Sequence, residues 1–192
     1  MRPAGAIPLF PLSSHIFPEG RLALRIFEPR YVRMIKEACA SDSGFVLCML
    51  DSGKSRDGNK HIFPIGTLVK VVDFCTLEDG LLGVTVEGVQ CVTLSKIETE
   101  EDGLRIGQWE PISGWVTPCA GHSFSLLPQR LEQIYQQYPE LGELYPEARF
   151  DDPLWVLFRW LEILPLEPDR KQKMLASKDL NPLMSYLNEL LE

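Results

Sequence analysis

No apolar run in this chain approaches the ~18–20 residues that a membrane-spanning helix requires. The N-terminal MRPAGAIPLFPL has no sustained apolar stretch, because prolines at 3, 8 and 11 interrupt it. No secretory leader is read there, and a cytoplasmic location is expected. Basic charge is also scarce. The net charge is −8, and the stretches before and after residue 118 carry −3 and −5. A nucleic-acid binder draws most of its affinity from phosphate neutralisation, so this balance disfavours nucleic acid as a partner. Cysteines stand at 39, 48, 75, 91 and 119, with no CxxC pair. Cys48, Cys75 and Cys91 lie in strand-like runs and are expected to be buried thiols. The three histidines are isolated, so neither a metal site nor a cofactor is expected. What remains is 45% hydrophobic and 24% charged, enough apolar material for a globular core.

The most tempting motif is CMLDSGKS at 48–55, a short apolar run leading into Gly-Lys-Ser. A phosphate-binding loop needs GxxxxGK[ST], whose first glycine allows the backbone to wrap the phosphates. Cys48 occupies that position, and RDGNKHIFP follows where a helix should begin. The segment is therefore read as a polar loop between strands. Ser14 and His15 are adjacent, but no GxSxG elbow is present. Asp151-Asp152 and Glu100-Glu101 are explained by a helix start and a turn.

Residues 1–118 read as mostly β. LALRIF at 22–27 alternates, with Leu22, Leu24 and Ile26 on one face and Ala23, Arg25 and Phe27 on the other. FVLCML at 45–50 and GTLVKVVDFCTL at 66–77 follow, the second turning at EDG into LLGVTVEG. Gly88 is read as separating that strand from VQCVTLSKIE, and LRIGQWEPI follows the turn EEDG. One helix interrupts the strands. Pro29 suits its first turn, and Tyr31, Met34, Ile35 and Ala38 recur at helical spacing. After Pro118 the pattern becomes helical. Leu127, Leu131, Ile134, Tyr135 and Tyr138 form one stripe, ended by Pro139. Asp152 caps a helix with Pro153 at its start and Leu154, Leu157, Phe158 and Leu161 inside, stopped at Pro165. A third helix begins at Pro168. A fourth has Asn181 as cap and buries Leu183, Leu187, Leu190 and Leu191. The fold class is α+β: an antiparallel β-barrel with one inserted helix over 1–118, then a helical bundle over 119–192.

One stretch is more specific than any pattern. It runs Pro8-Leu9-Phe10-Pro11-Leu12, Phe17-Pro18, Leu22, Leu24, then Ile26-Phe27-Glu28-Pro29-Arg30-Tyr31. This resembles the N-terminal substrate-binding domain of Lon proteases, which opens with PLFPL and L-x-L-x-IFEPRY at the same spacing. IGTLVKVVDF at 65–74 and EDGLLGVTVEGVQCVTL continue the likeness. Cys91-Val92 depart from the family's Arg-Phe, and Pro182-Leu183 stand for its closing Arg-Leu. The resemblance implies a PUA-like barrel followed by a helical bundle, together one Lon N-terminal-type domain. No Walker motif or Ser–Lys protease domain is found before Glu192, so a stand-alone, non-catalytic protein is expected.

The resemblance implies a module that engages unfolded or exposed apolar polypeptide in proteolysis or protein quality control. Its expected partners are client polypeptides, a separate ATP-dependent protease and a second copy of the chain, with no membrane. The alternatives are an RNA-binding PUA-like module and a hydrolase with an unrecognised site. Ile26, Glu28 and Pro29 are expected to build a strand-to-helix joint, with Arg25 and Arg30 supplying charge-assisted bonds. Phe27, Arg30 and Tyr31 are candidates for a polypeptide groove. So are Trp109, Trp115 and Phe124, placed near the barrel–bundle junction.

Overall fold

A computed structural model describes residues 5–116, 124 and 126–191. By compactness the chain divides into two units, 1–112 and 113–192.

The first unit is built on six strands: β1 (Ala6–Leu12), β2 (Arg21–Ile26), β3 (Phe45–Leu50), β4 (Ile62–Thr76), β5 (Leu82–Thr99) and β6 (Arg105–Pro111). Helix α1 (Pro29–Ser41) is inserted between β2 and β3. The sheet order is β2-β5-β4-β3-β1-β6, and β6 also pairs with β5. The ladder is not the purely antiparallel barrel that was expected. β1 runs parallel to β3, and β2 hangs on β5 outside the circuit of the other five. The cause is β1, which the alternation pattern does not reveal because of Pro8 and Pro11. A proline cannot donate to a ladder, so it avoids strands paired on both sides. β1 escapes this by changing partners. It pairs with β6 over Ala6–Leu9 and with β3 over Leu9–Leu12, so Leu9 alone lies in both registers.

β5 is one 18-residue strand, not two segments split at Gly88. One edge carries β4; the other takes β2 over Leu82–Glu87 and β6 over Val92–Thr99. Gly88 sits where those partners change. Its N–H donates to the Gly20 carbonyl at 2.8 Å, and its carbonyl accepts from Glu19 N–H at 2.7 Å. A Cβ there would strike the Phe17 carbonyl. The glycine marks a close backbone approach and a bulge, not a strand end.

α1 buries Tyr31, Met34, Ile35 and Ala38 against Leu24, Ile26, Val69, Val84 and Val86. A second cluster gathers Ile7, Leu9, Val46, Cys48, Val92 and Leu94. Cys48 and Cys91 are buried as expected; Cys75 is exposed, because it lies on β4 beyond the reach of β3. Burial pushes the Cys48 thiol up to about 12, so it stays protonated. Cys119 and His122 lie outside the described residues.

The second unit contains α2 (Leu126–Gln137), the one-turn α3 (Pro139–Gly142), α4 (Pro153–Ile163), α5 (Pro168–Ser177) and α6 (Asn181–Leu191). Pro139 ends α2 and also starts α3, whose four residues are too few to show a periodic stripe. Asp152 caps α4, accepting from Leu154 and Trp155 N–H at 2.9 and 3.2 Å. α4 is buried all round from Trp155 to Leu161, including Arg159. On α6, Leu183 and Leu187 are buried as expected, but Leu190 is exposed and Leu191 half-buried. Asn181 begins the helix itself, and its N–H donates to Asp179 Oδ1 at 2.9 Å.

Candidate polypeptide-binding surface

The strand-to-helix joint is built from Ile26 onward. Ile26 pairs with Leu82 and is buried; the next residue, Phe27, is 66% exposed. Glu28 holds an extended backbone before α1 (φ −79°, ψ 131°), and Pro29 supplies the first helical residue. The Glu28 carboxylate does not cap the helix. It pairs with Arg30 at 2.6 Å. Arg30 also donates through Nη1 to the Gly103 carbonyl at 2.8 Å, and its guanidinium lies 4.8 Å from the Tyr31 ring centre. Gly103 adopts φ +84° in the β5–β6 turn, and a Cβ there would meet Arg30 at 3.0 Å. Arg25 pairs with Asp79 of the β4–β5 turn.

One turn into the helix, Arg33 fastens α1 to the same β5–β6 turn. It bonds Asp102 Oδ2 at 2.9 Å and Glu37 at 3.0 Å, and reaches Glu100 as well. The Asp102 carboxyl is held below the usual range by the Leu104 N–H and by Arg33. The joint is thus a set of charge-assisted bonds that leaves Phe27 standing outward.

The remaining sequence candidates fall into different settings. Tyr31 is buried against Phe10, ring centres 4.2 Å apart, and burial raises its pKa. Trp109 is half-buried against the second core cluster. Trp115 meets Phe158 edge-on at 5.2 Å, and Phe124 is buried. Of the six, Phe27 is the aromatic that solvent reaches most freely. It borders a shallow depression with Pro29, Val32 and Lys36. A second exposed aromatic, Phe74 on β4, is 70% exposed. The run VVDFCT gives no hint of this, since exposure there depends on where β3 ends.

The Gly-Lys-Ser segment is a turn. Gly53 N–H donates to Asp51 Oδ1 at 3.0 Å, and Lys54 pairs with Asp51 at 2.7 Å. His15 meets the Thr67 hydroxyl at 3.2 Å, but Thr67 is fully buried and donates to the Ile16 carbonyl at 2.7 Å, an arrangement closed to water. Among the described residues, no three Cys, His, Asp or Glu side chains gather as metal ligands. No helix among them is long and apolar enough to cross a membrane.

A mixed six-stranded sheet carrying one helix, followed by a unit with five helices among its described residues, defines an α+β domain. The chain belongs to the family of the ATP-dependent protease La (LON) substrate-binding domain, whose model matches residues 6–192. It is 27% identical over 141 residues to the Lon protease of Xanthomonas oryzae pv. oryzae, covering 72% of this chain and 16% of that protein. It is 24% identical over 194 residues to the Lon protease of Solibacter usitatus, covering 97% and 24%. The chain thus spans at most about a quarter of these relatives. Its fold is that of a Lon N-terminal domain protein from Xanthomonas campestris (TM-score 0.71, 24% identity, 95% and 96% coverage). The N-terminal domain of Mycobacterium avium complex Lon protease is also similar (TM-score 0.62, 14% identity, 96% of each chain).

Proposed function

We propose that this domain is a non-catalytic client-recognition module that holds unfolded or exposed apolar segments of other proteins for a separate ATP-dependent protease. Its strand unit is proposed to be of the PUA-like type that the family resemblance implies. The observation that carries the functional reading is Phe27, 66% exposed at the end of β2, beside a joint fixed by Arg30 and Arg33. A large apolar side chain kept in water by a rigid frame is pre-organised for apolar contact. Shallow contacts of this kind trade affinity for breadth, which suits clients that share no sequence.

The test is fluorescence anisotropy with a labelled, reduced and carboxymethylated globular protein, beside its folded parent. Saturable binding of the unfolded form alone is expected, weakened by Phe27→Ala. Equal binding of both forms, or of neither, overturns the reading.

A further inference from the structure

β4 outruns its neighbour. β3 pairs with it only as far as Phe45↔Val69. Before Phe45 the chain turns away through Asp42 and Gly44, both with left-handed φ (50° and 67°). β4 continues to Thr76, held by β5 on one edge. Along the other edge, no strand among the described residues pairs with Lys70–Thr76. The C-terminal end of α1 stands across from that edge. Cys39 and Asp42 on the helix side, with Val72, Asp73 and Phe74 on the strand side, line a groove between them.

The backbone polarity of this edge can be read from the hairpin. Leu77 N–H donates to the Leu81 carbonyl at 2.8 Å. In an antiparallel ladder, groups facing the partner and groups facing away alternate. Asp73 and Cys75 therefore turn their N–H and C=O toward β5, while Phe74 and Thr76 turn theirs to the open side. Phe74 N–H agrees: it donates to Asp73 Oδ1 at 2.8 Å. A carboxylate oxygen thus sits where the carbonyl of an added strand would sit. Bulges and charges are the means by which natural edges resist pairing. Here a bulge between Val71 and Asp73 and that one carboxylate blunt the edge without covering it.

The groove's chemistry selects its occupant. Phe74 and Val72 offer apolar surface, 70% and 39% exposed. Asp42 and Asp73 supply negative charge, while Lys70 is drawn to Glu87 at 3.7 Å. Open backbone groups demand an extended chain, and the carboxylates demand a cationic one. We propose that Lys70–Thr76 takes an extended polypeptide segment, alternating apolar with Lys or Arg residues, as an added strand between the β4 edge and α1. This rests on the client-recognition reading and gives it a binding mode.

The test uses the full chain and a labelled decapeptide of alternating valine and lysine. Two further versions carry N-methyl groups on every second residue, in the two alternate phases. An N-methyl group blocks pairing along one edge only. The parent is expected to bind, one methylated phase to bind at least about tenfold more weakly, and the other to match the parent. Thr76→Pro, which removes an outward N–H, is expected to weaken binding. Equal binding by all three peptides, or equal loss in both phases, overturns strand addition. If the carboxymethylated protein binds while the parent peptide does not, strand addition fails and the client-recognition reading stands. If neither binds, both fall.

Discussion

Phe27 and Tyr31 lie four residues apart in one motif and stand in opposite surroundings, one in solvent and one in the core. Tyr31 is locked against Phe10 beneath α1, so Tyr31→Ala should cost roughly 3–5 kcal/mol by the usual toll of removing a buried aromatic. Phe27→Ala should change stability by no more than about 0.5 kcal/mol, since the ring is largely in solvent. Urea denaturation of both variants checks this, and it separates a binding defect from a folding defect. His61 supplies a pH signature. Burial first, then Arg105 and Arg56, lowers its pKa, so the folded chain holds it neutral below the pH at which the unfolded chain protonates it. The unfolded state then binds more protons, and stability falls as pH drops below the ordinary histidine range of about 6.5. Thermal melts from pH 7.5 to 5 should show this fall, and His61→Gln should flatten it.

At the scale of elements, α4 carries the most consequential polar choice. Arg159 is fully buried, with Glu162 Oε1 at 2.7 Å and the Tyr145 and Trp155 rings 5.5 and 5.3 Å from its guanidinium. Glu162→Gln leaves that cation buried without its carboxylate and should cost about 3 kcal/mol or more. Asp152→Ala removes the α4 cap and should cost about 1 kcal/mol. Comparing the two by chemical denaturation ranks a buried charge against a helix cap. The cap was legible in the sequence, because Asp-Pro before an apolar stripe has a local mechanism. Arg159 was not, because its burial depends on Tyr145, which lies outside α4. The same contrast holds in the strands. Leu24 and Ile26 announce their buried face by alternation. The exposure of Phe74 depends on the β3–β4 pairing ending at Phe45↔Val69, a tertiary fact with no local sign. Prolines hid β1 outright. At the joint, the motif residues were visible, but Arg33 and its carboxylate partners emerged only once the β5–β6 turn was placed beside α1.

For the molecule as a whole, the division into two compact units predicts that damage to one stays within it. Glu162→Gln should lower amide protection across α2, α4 and α6 while the slowest-exchanging amides of β3, β4 and β5 keep theirs. Hydrogen exchange followed by mass spectrometry reads both sets in one experiment. Uniform loss across the chain would show that the units unfold as one.

The partner-switching of β1 also sets a clock. Its N-terminal half must find Arg105–Gln108, about a hundred residues later, before the circuit of strands can close. Loop closure over that span precedes any reward from the contact, and folding slows accordingly. Refolding of 1–112 should therefore fall in the millisecond-to-second range of β-rich domains. During synthesis, the circuit of strands would stay open until β6 has emerged.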